Sequence, residues 1–259
     1  MSDELTLDRL TADISVFQRR DGHRFSSDDM VTAWAALQVC PEPRRVLDLG
    51  CGLGSVLLHL AWSVPDALLD GVEVQEVSYS LLDRNLAHNA QVADIGERVS
   101  IHHGDFRDRS ITSALRAPFD LITGTPPYFP PGTASRAVDE QRTRARIETC
   151  GGVEDYIATG APLLADDGCL VVCGDADAEG RALTAAQELD LHLVARWVVI
   201  PRAGRPPLFT VWAMRHTAEI ELVDHTLVLR DAHGERTADA RRLRAFSGFP
   251  EAETRPTPT

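Results

Sequence analysis

The feature that most constrains this chain is an apolar run broken by three glycines, Val46-Leu47-Asp48-Leu49-Gly50-Cys51-Gly52-Leu53-Gly54. Val46 to Gly50 predicts a strand and Ser55 to Val64 a helix, so the glycines fall on a tight strand-to-helix turn whose N–H groups can approach a ligand. A dinucleotide pyrophosphate is the usual ligand of such a turn. Two details oppose it. The spacing is G-x-G-x-G, with Ser55 where the dinucleotide fingerprint has its third glycine, and Asp48 sits at the strand tip, where a carboxylate repels phosphate. A positively charged ligand suits that acid, and S-adenosylmethionine carries both an ammonium and a sulfonium.

Further strands and helices alternate beyond the turn. Strands are expected at Leu69–Val74, Val99–His103, Phe119–Thr123 and Cys169–Cys173, with helices at about Glu76–Gln91, Val153–Ala165 and Ala178–Leu189. Such βαβ units predict a mainly parallel sheet covered on both faces. Val194–Ile200 and Leu208–Arg215 are joined by a link too short for a crossover helix, so they should pair antiparallel. The fold class is therefore α/β. Residues 1–43 precede this core as an N-terminal extension expected to be helical, with Ser26-Ser27-Asp28-Asp29 as its cap. Residues 217–259 follow as a strand or hairpin extension, with a frayed tail from Ser247.

Two more acids end successive strands. Glu73 lies 23 positions after Gly50, where a carboxylate accepts from ribose hydroxyls. Asp105, in His103-Gly104-Asp105-Phe106, can accept from an adenine amine while Phe106 packs on the ring. After the next strand comes Thr125-Pro126-Pro127-Tyr128-Phe129. Its prolines fix φ and remove donors, so the carbonyls of Thr125 and Pro126 can hold an NH₂ group while Tyr128 stacks on a planar substrate.

This order of motifs resembles the class I S-adenosylmethionine-dependent methyltransferases over about residues 44–215. The resemblance implies a Rossmann-like seven-stranded sheet with a C-terminal antiparallel hairpin. It implies S-adenosylmethionine as cofactor, held by Asp48, Gly50, Cys51, Gly52, Gly54, Glu73, Asp105 and Phe106. Thr125 to Tyr128 resembles the Asn/Asp/Ser-Pro-Pro-Tyr signature of enzymes that methylate planar amino nitrogens, with threonine in place of the amide or acid. Arg24-Phe25-Ser26-Ser27-Asp28-Asp29 is similar to the helix start of bacterial tRNA adenine-N6 methyltransferases of the valine-tRNA type, which implies that Ser27 and Asp28 lie over the cofactor's methionine moiety. The stretch after the proline motif is similar to the same family and offers Phe129, Arg136, Arg142, Arg144 and Arg146 as substrate contacts. Those four arginines stand against only Asp139 and Glu140.

Composition limits the alternatives. All 26 basic residues are arginine, which excludes lysine Schiff-base chemistry and Walker-type phosphate binding. A formal charge of −13 argues against a protein that coats nucleic acid, although a local basic patch is compatible with it. Five unevenly spaced cysteines suggest neither a disulfide framework nor a zinc site. No metal is expected: His102 and His103 read as surface or packing residues, and Trp34, Trp62, Trp197 and Trp212 as core. An acidic N-terminus and the lack of a long apolar run point to a cytoplasmic protein with no membrane partner. Three readings stay open. One is methylation of an amino nitrogen on tRNA or another structured RNA, one is the same chemistry on a small molecule or protein, and one is a cofactor-binding protein without catalysis. A monomer and a homodimer are equally compatible with the sequence.

Overall fold

A computed structural model describes residues 4–130, 132, 139–217 and 222–249. In chain order its elements are β1 (Leu5–Arg9), β2 (Ser15–Arg19), α1 (Ser27–Val39), β3 (Arg45–Leu49), α2 (Ser55–Ser63), β4 (Leu68–Glu73), α3 (Glu76–Asn89), α4 (Ile95–Arg98), β5 (Val99–His103), α5 (Arg109–Thr112) and β6 (Phe119–Gly124). There follow α6 (Glu140–Arg144), α7 (Val153–Gly160), β7 (Leu164–Gly174), α8 (Glu179–Gln187), β8 (His192–Ile200), β9 (Phe209–Arg215), β10 (Val223–Val228) and α9 (Ala238–Phe246). The main sheet runs β10-β8-β9-β7-β6-β3-β4-β5. The strands β3 to β7 pair in parallel, and β9 is antiparallel to both β7 and β8. The chain winds outward from β3 through β4 to β5, then returns to β6 on the other side of β3. That reversal opens a crevice at the carboxyl ends of β3 and β6, where open α/β sheets bind ligands.

The sheet is covered on both faces. On one side α1 and α2 pack through Val31, Ala35, Val56, Leu57 and Leu60, and Trp34 meets Trp197 edge-on with ring centroids 6.1 Å apart. On the other, Tyr156 and Ile157 of α7 and Ala182 and Ala186 of α8 pack on Leu47, Ile122, Leu170 and Trp212. Among the described residues no helix is long and apolar enough to cross a membrane.

The structure departs from the sequence expectation at four places. The sheet has eight strands, because β10 pairs in parallel with β8 from Val223 opposite Ala195 to Val228 opposite Ile200. The extension before the core is a β1–β2 hairpin followed by α1, not a purely helical segment. Helix α7 stops at Gly160, ahead of Pro162, and β7 begins at Leu164. Ser247 is fully buried, not frayed: its Oγ lies 3.0 Å from His59 Nε2, and the His59 ring stacks on Phe246.

The hairpin is docked by two asparagines. Asn85 Oδ1 accepts from Phe17 N at 2.7 Å, and its Nδ2 donates to Phe17 O at 3.1 Å. Asn89 does the same for Ser15, at 3.1 and 2.8 Å. Four residues of helix rise about 6 Å, close to the roughly 6.8 Å spanned by two strand residues. The side chains of α3 therefore act as a strand edge for β2. Asn85 Nδ2 also donates to the Leu53 carbonyl in the glycine turn at 3.0 Å. Replacing Asn85 with alanine strands buried backbone groups on both segments and should lower stability by about 1–3 kcal/mol. Urea unfolding checks this, and an unchanged midpoint would show that the hairpin docks without it.

Candidate active site

The turn after β3 is built from residues with left-handed backbone: Gly50, Gly52 and Gly54 have φ of 60°, 57° and 95°. Gly54 caps α2 and lies behind the turn. A Cβ on Gly50 would collide with the Tyr156 hydroxyl, and one on Gly124 with the same ring. Gly50 is thus needed to seat Tyr156 across the ends of β3 and β6, a role the sequence does not show. Gly52 differs, because nothing lies within 4 Å of the position a Cβ would take. It opens into the crevice.

Two adjoining cavities fill that crevice. The narrower, about 70 Å³, is lined by Gly50, Cys51, Gly52, Glu73, Phe106, Pro127 and Tyr156, with Arg144 at its edge. The wider, about 390 Å³, is lined by Pro126, Tyr128, Phe129, Arg142 and Arg146 together with Asp28. His23, Phe25, Asp29, Thr125 and Ala145 line both and form the neck between them.

Glu73 is 4% exposed at the floor of the narrow cavity. Its Oε2 accepts from Gly52 N at 2.8 Å and its Oε1 from Gln75 N at 2.6 Å. Each oxygen keeps a further lone pair. Burial pushes the Glu73 carboxyl up from its ordinary value, against the lowering effect of those N–H bonds.

Asp48 and Asp105 are placed differently from the sequence expectation. Asp48 is buried beneath the turn and does not line either cavity. Its Oδ1 accepts from Thr123 Oγ1 at 2.8 Å, while Oδ2 has no hydrogen-bond partner of ordinary geometry. Asp105 also stays out of the cavities, because Arg107 clasps it with Nη2 2.6 Å from Oδ2 and Nε 2.9 Å from Oδ1. That pair holds the Asp105 carboxyl below its ordinary value. Phe106 beside it does line the narrow cavity and meets Tyr156 edge-on at 4.6 Å.

The start of α1 contributes Asp28 and Asp29, with Ser27 outside both cavities. Asp28 Oδ2 accepts from the Tyr128 hydroxyl at 2.9 Å, and that hydroxyl also lies 3.4 Å from Cys173 Sγ. Tyr128 is therefore anchored by its tip. Asp29 caps the helix through the Ser26 N–H at 2.9 Å. Its carboxyl is pushed up to about 8, first by burial and then by the Asp28 charge.

The arginine stretch divides. Arg144 pairs with Glu140 at 2.9 Å, Arg142 and Arg146 face the wider cavity, and the Arg146 guanidinium sits 5.4 Å from the Phe129 ring centre. Arg136 lies outside the described residues. The segment is tied across the crevice by Arg19 to Asp139 at 2.8 Å and by Gln141 Nε2 to Ser78 Oγ at 3.0 Å.

His23, Gln75, Ser78 and Tyr156 line the narrow cavity without having been singled out from the sequence, and Phe25 and Asp29 line it although the sequence named them only within the stretch before α1. Asp29 carried a signal, as the acid three residues after a serine cap; Tyr156 carried none. His102 pairs with Asp70 at 2.9 Å and His103 stacks on Tyr79, both away from the cavities. Among the described residues no group of three or more His, Cys, Asp and Glu is arranged to hold a metal ion.

Burial pushes Asp48 up from 3.8 to about 7. The folded state thus holds that proton more tightly than the unfolded chain. The associated stability is fully present below about 3.8 and is lost as pH rises through about 7. Asp48→Asn should therefore lose less stability than the parent between these limits. Thermal midpoints measured across pH 4–7 check it, and parallel curves would mean that Asp48 is ionised in the fold.

The methyltransferase small domain family matches residues 25–145. The chain is 33% identical to the tRNA1(Val) (adenine(37)-N6)-methyltransferase of Aeromonas hydrophila over 179 residues, covering 68% of this chain and 69% of that relative. It is 27% identical to the protein of the same name from Porphyromonas gingivalis over 246 residues, covering 90% and 94%. Among solved structures, a predicted O-methyltransferase from Agrobacterium tumefaciens superposes with a TM-score of 0.65 at 17% identity, covering 88% of this chain and all of that one. Trm5b from Pyrococcus abyssi does so at 0.56 and 16%, covering 83% and 56%. At these identities the two structures speak for the fold, which is the Rossmann-like methyltransferase fold. The chain is a methyltransferase, and it belongs to the tRNA1(Val) (adenine(37)-N6)-methyltransferase family.

Proposed function

We infer that this chain transfers a methyl group from S-adenosylmethionine to the N6 amine of an adenine in tRNA, in the cytoplasm. The observation that carries the reading is the pair of cavities joined at Thr125, one at the glycine turn and one at the proline motif. The first suits the cofactor and the second an unstacked base.

The residues of the narrow cavity fit S-adenosylmethionine. Glu73 keeps lone pairs for a ribose diol, Gly52 leaves space for a close ligand, and Phe106 offers an aromatic face. Asp29 is a buried acid whose carboxyl, among the described residues, accepts only from neutral donors, the Ser26 N–H and the Ser55 side chain, so a cationic ligand would satisfy it. When bound, the cofactor supplies a methyl group on a cationic sulfur, a good leaving group, so positioning provides much of the rate. The chain's part is to hold the amine with Thr125 and the Pro126 carbonyl, and to flank the base with Tyr128. Asp28 fixes the tip of that ring. Arg142 and Arg146 offer charge to the phosphates of a folded RNA while the remainder of the acidic surface repels them. The same relatives, named for adenine-N6 methylation of tRNA, support the choice of acceptor.

Incubating unmodified tRNA transcripts with radiolabelled S-adenosylmethionine should place label in N6-methyladenosine. Label only in small molecules or protein would overturn the acceptor. Glu73→Ala should weaken cofactor affinity by about 1.5–3 kcal/mol through lost charged hydrogen bonds, and unchanged calorimetric affinity would remove Glu73 from the site. Asp29 is largely protonated at neutral pH in the free protein, because its carboxyl stands at about 8. A cation beside it favours the ionised form. Cofactor binding at pH 7 should therefore release protons, and Asp29→Asn should reduce that release. Calorimetry in buffers of different ionisation enthalpy reads it directly.

A further inference from the structure

We propose that His23 is the proton acceptor of the transfer step, making good at the neck what Thr125 cannot supply. The inference rests on the reading above and goes beyond it, because the proline motif contains no base. Thr125 has a hydroxyl where the related signature has an amide or a carboxylate; like the amide, and unlike the carboxylate, it can accept a hydrogen bond but cannot take the proton that the methylated nitrogen must shed.

Transfer between two cavities occurs where they meet, and only five described residues line both. Phe25 and Ala145 are apolar. Asp29 caps α1 through the Ser26 N–H and is the acid assigned above to the cofactor's cation. Thr125 is the weak acceptor just described. His23 remains: it is half-buried, and its ring nitrogens have no hydrogen-bond partner among the described residues. Its place is built. Gly22 before it is buried where a Cβ would collide with Gln141 Oε1, so the loop between β2 and α1 lies close under the Gln141 tether.

Burial keeps the imidazole neutral: it pushes His23 below its ordinary 6.5, against the Asp28 charge, which favours the protonated form, and with Arg142, which opposes it. Asp29, Arg20, Arg24 and Arg146 are the other charged residues of the wider cavity. A neutral imidazole at physiological pH has a free lone pair to accept a proton.

In the step, the amine nitrogen forms its bond to the methyl carbon as the carbon–sulfur bond breaks, and that electron pair returns to sulfur. The surplus N–H proton passes to His23. The resulting imidazolium then releases it to water through the wider cavity.

The test uses the full chain with unmodified tRNA transcript and radiolabelled S-adenosylmethionine. His23→Ala should lower kcat about a hundredfold, the lower end of the range for a positioned base. KM for tRNA and calorimetric affinity for the cofactor should stay within about twofold, the limit expected when a step after binding is removed. His23→Gln, which can accept a hydrogen bond but not keep a proton, should lack the acid limb that the parent's rate shows below about pH 6.5, the unperturbed histidine value. Adding Thr125→Asp to His23→Ala should recover part of the activity, because a carboxylate can take the proton and a hydroxyl cannot. Independently of turnover, the imidazole resonances of His23 should titrate below the ordinary histidine range in the free protein. An unchanged kcat in His23→Ala, or a loss of kcat matched by weaker cofactor binding, would overturn the proposal. If the parent protein itself neither binds S-adenosylmethionine nor labels tRNA, the functional reading fails instead.

Discussion

The structure turns on Asn85. One side chain on α3 holds both backbone groups of Phe17 in β2 and the carbonyl of Leu53 in the glycine turn. The hairpin before the core is thereby fixed to the turn it overhangs. Everything the N-terminal segment contributes to the site, from Gly22 to Asp29, is positioned through that joint and its companion Asn89. The asparagine is fully buried, where each unmade bond would carry its full desolvation cost. A hydrophobic contact could dock the same hairpin, but it would leave the strand free to slide, and the register of His23 against Thr125 would slide with it.

The crevice is lined with acids by construction. Glu73 and Asp29 are buried in its walls and Asp48 lies beneath its floor, and among the described residues none of the three pairs with an arginine. Elsewhere the chain pairs its acids freely, as with Arg107 and Asp105 or Arg116 and Asp70. Burial without a cationic partner raises all three carboxyls, which is costly for a scaffold and useful for a cation site. Asp48 acts at one remove. It cannot touch a ligand in the cavity, yet its charge beneath the turn would add to the field there, and its bond to Thr123 ties the tip of β3 to that of β6.

The fold was legible because its signals are local. Alternating strands and helices, the glycine turn and the short link between the last two expected strands fix a doubly wound sheet with an antiparallel pair. A strand or hairpin was expected within residues 217–259, but its place as an eighth strand of the sheet was not legible, because Val223 to Thr226 is exposed and carries no alternation, so only its pairing with β8 identifies it. The site was legible only in part. Glu73, Gly52, Phe106 and the proline motif lie on strand ends that the sequence orders, and the structure brings them to one crevice. Asp105 occupies an equivalent strand end but is captured by Arg107 two residues on, a choice between a near partner and a distant ligand that spacing does not decide. Gly50 and Tyr156 are 106 positions apart, and nothing in either local sequence announces that one must be small to admit the other.

The neck between the cavities shows how a shared fold can acquire its own chemistry. The sheet supplies Thr125 from the end of β6, while His23, Phe25 and Asp29 come from a segment outside the doubly wound core. A threonine in the proline motif weakens one acceptor without moving the backbone that carries the others, because the prolines still fix the turn. The compensating group then need not come from the same strand. It need only face the same opening, and the loop between β2 and α1 is the segment held over that opening by Asn85 below and by the tether from Gln141 to Ser78 beside it.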